Sequence, residues 1–191
     1  MLVLLVQAAE AGARAAAQHW PVLASLTSAA AVGAAVWWTR RLVTLRLSLS
    51  GIDALGDQDF EYALRDLLVR DGWTARKVGQ QGDQAADVIG QHPGLGRIVL
   101  QAKYTKVGAK VDSQVMYQVK GTAGPVHNAD TAVVVTNGSL TRDARAWGDR
   151  HGIHWIDRDR LRQWAEHGIA LHDLLRLPAR PTRRRLGRPE A

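Results

Sequence analysis

Apolar side chains are spaced along this chain in three ways, and each spacing predicts a different kind of element. From Trp20 to Trp38 the run WPVLASLTSAAAVGAAVWW is apolar or small on every side and carries no charge. Its 19 residues, at a helical rise of about 1.5 Å, span roughly 28 Å, the thickness of one bilayer core. Trp20 marks one end and Trp37 with Trp38 the other, as interfacial aromatics do, and Arg40 and Arg41 predict a cytoplasmic C-terminal side. Residues 1–41 are therefore read as a membrane anchor with its transmembrane helix at about 20–38. A cleaved signal peptide fits less well, since MLVLLVQAAE has no positive side chain ahead of its apolar run. Residues 1–19 read either as a short amphipathic entry helix, with Glu10 and Arg14 four apart, or as part of a second membrane segment.

After residue 56 the apolar positions recur at helical or strand spacing. DQDFEYALRDLLVRDG puts Phe60, Leu64, Leu67 and Leu68 on one stripe, with Asp57 as N-cap and Gly72 as stop. Strands are predicted at Trp73–Val78, Ala86–Gly90 and Arg97–Lys103, the last two joined by QHPGLG with turn residues Pro93, Gly94 and Gly96. Val115, Met116 and Val119 predict a helix over Asp112–Thr122. TAVVVT at 131–136 reads as a strand buried on both faces. Thr141 caps a further helix, Ile153–Ile156 is a short strand, and Asp157 or Asp159 opens a last helix bearing Leu161 and Trp164. The order α-β-β-β-α-β-α-β-α describes an α/β domain over 57–175, its sheet mixed because of the hairpin. Residues 42–56 are left as a linker, and Met116 with Trp73, Trp147, Trp155 and Trp164 are expected in the core.

Composition narrows the chemistry. With 191 residues the chain has room for one ordinary domain plus flanks. It has no cysteine, so disulfides, zinc ribbons and thiolate nucleophiles are excluded, and any metal must sit on oxygen or imidazole. The formal net charge is +7, but residues 42–175 hold 16 basic and 16 acidic side chains, so the excess belongs to the flanks. Residues 176–191, with six Arg against one Glu and three prolines from Leu177 onward, read as an exposed basic tail open to anionic lipid, nucleic acid or solvent alone. No GxxxxGK or GxGxxG fingerprint is present, which argues against a nucleotide cofactor, and no GxSxG elbow presents a serine. The seven histidines are scattered without metal-ligand spacing.

What remains is the hairpin. In its second strand Gln101 and Lys103 point to one face with Val99, while Ile98, Leu100 and Ala102 point to the other. A register with Asp87 opposite Gln101 puts Asp87 on the polar face and Val88 in the core, and leaves 92–96 as the loop. A carboxylate beside an amide oxygen can hold a hard divalent cation such as Mg²⁺ and leave water in place. A lysine within reach can orient water or neutralise charge on a phosphate, and Glu61 on the preceding helix could add a second carboxylate. In outline this is metal-assisted phosphodiester hydrolysis. Residues 97–120 add Arg97, Lys103, Lys106, Lys110 and Lys120 against Asp112, a net of +4 on the side expected to face phosphate.

At these residues the sequence resembles the Mrr-like branch of the PD-(D/E)xK restriction-endonuclease superfamily. The resemblance runs over roughly residues 52–165. It rests on Phe60-Glu61, Gly82-Asp83, Ala86-Asp87-Val88-Ile89, Gln101-Ala102-Lys103, the helix ending in Gly121, and VVVTNGSLTRDARAWGDRHGIHWID. Glutamine at the third site position is the Mrr-type variant. Ala86 replaces the usual proline before the acid, and Ala85 stands where glycine is common. The resemblance implies a restriction-endonuclease-like, four-stranded mixed sheet flanked by helices and Mg²⁺-dependent DNA cleavage. It carries Asp87, Gln101 and Lys103 over as catalytic, and Glu61 less directly.

The expectation is thus a single-pass membrane protein with a cytoplasmic endodeoxyribonuclease domain, serving restriction, defence or DNA processing. Asp87, Gln101 and the Ala102 carbonyl hold Mg²⁺, Lys103 assists the attacking water, and Lys106, Lys110, Asn137 and Thr141 are candidate DNA contacts. Enzymes of this kind often pair two sites in a homodimer, although no interface is legible here. The competing expectations are a non-catalytic, membrane-tethered nucleic-acid-binding module and a Holliday-junction-resolvase-like nuclease.

Overall fold

The computed structural model describes residues 45–78, 85–106 and 108–179. The chain divides into two units, 1–41 and 42–191. The anchor read at 20–38, the Arg40–Arg41 pair, Gly82, Asp83 and the tail from 180 onward lie outside the described residues. Among the described residues no helix is long and apolar enough to cross a membrane.

Residues 45–56, expected as linker, are instead folded against the domain. Ser48 caps helix α1 (Leu49–Asp53) by accepting a hydrogen bond from the Gly51 amide, and Leu49 and Ile52 are buried. Leu47 N–H donates to the Ala165 carbonyl, and Leu49 N–H to the Glu166 carboxylate. The segment looked like linker because two buried residues in one short turn leave no periodicity to read.

Helix α2 (Asp57–Arg70) buries the expected stripe of Phe60, Leu64, Leu67 and Leu68. Its N-cap is Gly56, so Asp57 falls in the first helical turn, where its charge suits the helix dipole. Gly72, at φ +90°, turns the chain into β1 (Thr74–Lys77), and the hairpin of β2 (Val88–His92) and β3 (Gly96–Lys103) follows. Then come β4 (Lys110–Val111), α3 (Gln114–Ala123), β5 (Thr131–Thr136) and β6 (Ser139–Leu140). Thr141 caps α4 (Arg142–His151) as expected, and β7 (His154–Ile156) leads to α5 (Arg158–Ala165), capped by Asp157. A last short helix, α6 (Leu171–Leu174), closes the described chain.

The main sheet has five strands in the order β1-β2-β3-β5-β7, one more than the family resemblance implied. β1, β2 and β3 are antiparallel, whereas β3, β5 and β7 run parallel, so the sheet is mixed. β4 and β6, two residues each and too short to show a period, pair in parallel as a separate small sheet. One face of the main sheet buries Val88, Ile98, Leu100, Val133 and Val135 under the residues of α1, α2, α5 and α6. The other buries Ala132 and Val134 under α3 and α4, with Met116 fully enclosed. Trp73 and Trp164 are core residues, but Trp147 and Trp155 are half-buried. Trp155 stacks beneath the Arg160 guanidinium at 4.4 Å, so its ring is covered by charge at the surface.

A buried ion pair ties α2 to the later helices. Arg70 and Asp71 meet at 2.6 Å with side chains 3% and 2% exposed. Asp71 also accepts from Trp164 Nε1 at 2.6 Å and the Leu171 amide at 2.7 Å. Arg70 donates to the Trp164 carbonyl at 2.8 Å.

Candidate active site

The hairpin adopts the expected register. Val88 faces Leu100 and His92 faces Gly96, so the next pair outward is Asp87 and Gln101. Asp87 lies just before β2 but continues both ladders: its N–H donates to the Leu100 carbonyl at 3.0 Å, and its carbonyl accepts from Val78 N–H at 2.8 Å. The backbone of the acid is therefore fixed from two sides. Ala85, two residues earlier, takes φ +62°, the left-handed region that glycine enters without penalty.

Ala102 lies beyond the last β2 pair, and the Asp87 carboxylate takes its N–H at 2.6 Å. The same Oδ2 accepts from the Gln101 side-chain amide, which also reaches the Ala102 carbonyl at 3.2 Å. The Gln101 Nε2 thus sits between a carboxylate and a carbonyl oxygen. Half a turn of that amide brings Oε1 to the same place, so three oxygens can converge on one point. One carboxylate, one amide and one carbonyl make a donor set suited to a hard divalent cation that keeps part of its water shell. Among the described residues no three of His, Cys, Asp or Glu are grouped to hold a metal ion, and the donors beside Asp87 are the Gln101 amide and the Ala102 carbonyl.

These groups open into a cleft of about 340 Å³ lined by Asp57, Glu61, Asp87, Gln101, Ala102, Lys103 and Tyr104. Asp87 and Gln101 are 8% and 6% exposed, so the carboxylate and amide work in a partly desolvated setting. Glu61 is brought to the same cleft by the first turns of α2, but its Oε2 is engaged by Lys77 Nζ at 2.9 Å. The hydrogen bond that it donates to Glu61 raises the Lys77 ammonium above its ordinary range, with burial opposing. Lys77 had no signal in the sequence, because the four residues of β1 carry two adjacent charges on an edge strand and a lysine there looks like any edge-strand charge.

Behind the cleft a polar network holds the end of β3. Asp53 accepts from Arg158 at 2.6 and 2.8 Å and from Asn137 Nδ2 at 3.2 Å. Asn137 in turn accepts from Thr105 N–H at 2.8 Å and donates to the Thr105 carbonyl at 2.9 Å. Tyr104 donates its hydroxyl to the Asp53 carbonyl at 2.6 Å. The Arg158 hydrogen bond is the main reason that the Asp53 carboxyl lies below its usual range, burial working the other way.

That network corrects the expectation for Asn137. It is fully buried and its amide is spent on Thr105 and Asp53, so it fixes the strand end and does not meet a ligand. Thr141 is half-buried, with its hydroxyl accepting from the Ala144 amide as the α4 cap. The +4 stretch is also divided. Lys103 lies at the cleft with exposed Lys106 and Lys110 just after it in the chain, whereas Arg97 is the second residue of β3, six residues or roughly 20 Å away. Lys120 turns to the His151 carbonyl.

A comparison of the sequence with known protein families matches the restriction endonuclease catalytic domain (Mrr_cat) to residues 52–165, more than half the chain. The chain belongs to this restriction endonuclease family. The match contains every residue of the cleft and runs from the last two residues of α1, Ile52 and Asp53, to the end of α5. No curated protein matches the chain. Among solved structures, a protein of unknown function, AF1548, superposes with a TM-score of 0.51 at 16% identity, over 62% of this chain and 66% of that one. MspJI restriction endonuclease in complex with a 27-mer oligonucleotide superposes with a TM-score of 0.43 at 20% identity, over 62% of this chain and 31% of its own. The chain thus spans just under two thirds of AF1548 and about a third of MspJI. The AF1548 likeness places the domain in a shared fold.

Proposed function

We propose that this restriction endonuclease domain is a Mg²⁺-dependent endodeoxyribonuclease acting in restriction of foreign DNA or in DNA processing. The observation that carries the reading is the convergence of the Asp87 carboxylate, the Gln101 amide and the Ala102 carbonyl, with Lys103 in the same cleft. A bound Mg²⁺ would supply Lewis-acid stabilisation of phosphate charge and a more acidic water. Asp87, Gln101 and the Ala102 carbonyl are the groups that would hold it.

Lys103 offers its ammonium to the charge that grows on the phosphate and can orient the attacking water; charge stabilisation of this kind is worth about 10²–10³ in rate. Glu61, held at one oxygen by Lys77, contributes a carboxylate to the cleft wall that can accept a hydrogen bond from water. Lys106 and Lys110 are exposed beyond the end of β3 and serve as contacts for the DNA backbone, without base readout. We further propose that residues 20–38 anchor the chain in a membrane with the domain on the cytoplasmic side, supported by the uncharged run and by Arg40 and Arg41.

The test is cleavage of supercoiled, linear and methylated DNA by the full-length protein, with Mg²⁺ or with EDTA, beside Lys103→Ala and Asp87→Ala. Metal-dependent nicking lost in both folded variants is the expected result. DNA binding without cleavage of any substrate would replace this reading with a tethered binding module, and cleavage of four-way junctions alone would make the protein a resolvase.

A further inference from the structure

Lys77 is placed by β1 beside the site, since its ladder partner is Val88, the residue after Asp87. Its ammonium meets Glu61 Oε2 at 2.9 Å, and both side chains are largely covered, at 15% and 16% exposure. The Tyr62 ring lies 5.2 Å from the same ammonium, closing it in on another side. Glu61 forms part of the cleft wall, whereas Lys77 does not, and Glu61 Oε2 is shielded from solvent. The ammonium therefore stands behind the carboxylate, as a fixed positive charge against its inner oxygen.

We infer that Lys77 is a positioning residue that takes the place of a second cation beside Glu61, so that the cleft is built for a single divalent ion. The inference rests on the cation-dependent reading above and deepens it. Charge balance carries the argument. Asp57, Glu61 and Asp87 bring three negative charges to the cleft and Lys103 one positive. Adding Lys77 leaves one net negative charge. A single dication turns this into one net positive charge, opposite in sign to the phosphodiester it must hold. A second dication beside Glu61 would face the Lys77 ammonium across one carboxylate, and the burial of that ion pair strengthens repulsion between like charges. The placement of the groups agrees, since the Asp87 carboxylate, the Gln101 amide and the Ala102 carbonyl meet at one point, with Glu61 turned to Lys77.

The experiment counts Mn²⁺ bound by the full-length protein, using the electron paramagnetic resonance signal of the free ion. Wild type should bind one Mn²⁺ per chain, and Asp87→Asn should lose it. Lys77→Met, which keeps the length of the stem and removes the charge, should gain a second and weaker Mn²⁺, and Lys77→Met with Glu61→Gln should return to one. Glu61→Gln alone should weaken the single ion by less than about ten-fold, because Glu61 is not its ligand. Two ions in wild type, one ion in a folded Lys77→Met, or a loss of ten-fold or more in Glu61→Gln would overturn the inference. The last of these stands even if Lys77→Met fails to fold. Wild type binding no Mn²⁺ would overturn the cation-dependent function itself, whereas one ion in both wild type and folded Lys77→Met would overturn only the role of Lys77.

Discussion

Ala85 occupies a backbone conformation that its side chain disfavours, and replacing it isolates the effect. At φ +62° its methyl crowds the following carbonyl, which for an L residue costs roughly 1–2 kcal/mol. Ala85→Gly removes that cost. Against it stand the larger conformational freedom of glycine in the unfolded chain, about 0.4–1 kcal/mol, and the loss of a half-buried methyl worth a fraction of about 0.8 kcal/mol. The balance is a stabilisation of about 0.4 kcal/mol. Ala86 next to it supplies the control, being fully buried and absent from the positive-φ positions. Ala86→Gly loses both the methyl and the entropy term, a destabilisation of about 1.5 kcal/mol. Two identical substitutions at adjacent positions should therefore differ by about 2 kcal/mol. Urea denaturation measures this as midpoint shifts of opposite sign at an unchanged slope. Equal losses at the two positions would refute the left-handed conformation at Ala85, and with it the account of how the chain turns into Asp87.

Three further outcomes follow from the same structure. The Asp53 carboxyl is depressed below its ordinary 3.8, so its stabilisation is complete above that value and is lost as pH falls through the lower folded-state value; acid unfolding of Asp53→Asn should lack this part of the acid limb. Asp71→Ala leaves the Arg70 guanidinium buried and removes the acceptor of Trp164 and Leu171, and should cost about 3–5 kcal/mol in denaturant unfolding. Gly138→Ala sets a methyl 2.5 Å from Thr105 Oγ1 and 2.7 Å from the Ala109 carbonyl, and since backbone cannot yield easily it should lose about 1–3 kcal/mol in thermal or urea unfolding.

Much of the domain could be read along the chain because its signals are local. The stripe of Phe60, Leu64, Leu67 and Leu68, the uninterrupted apolar run at 131–136 and the Thr141 cap each involve residues within a few positions of one another, and each element formed where its pattern lay. The pairing of Asp87 with Gln101 was legible for the same reason: a short turn and a two-residue alternation leave one register that keeps Val88, Ile98 and Leu100 inside. Glu61 and Lys77, by contrast, are joined only when α2 packs beside β1, and Asp53 meets Arg158 across 105 positions. Charged residues on an edge strand or in a short turn carry no periodic mark that distinguishes a partner from a solvated surface. Asn137 shows the limit in the other direction, since it was read as a candidate DNA contact, yet burial decides that its amide holds Thr105. Sequence alone determined where the longer helices and the main-sheet strands form and which face of the hairpin bears the acid, amide and lysine, because those follow from spacing. Only the tertiary structure decided which charges neutralise one another around that cleft, because such pairing depends on proximity and desolvation between segments far apart in the chain.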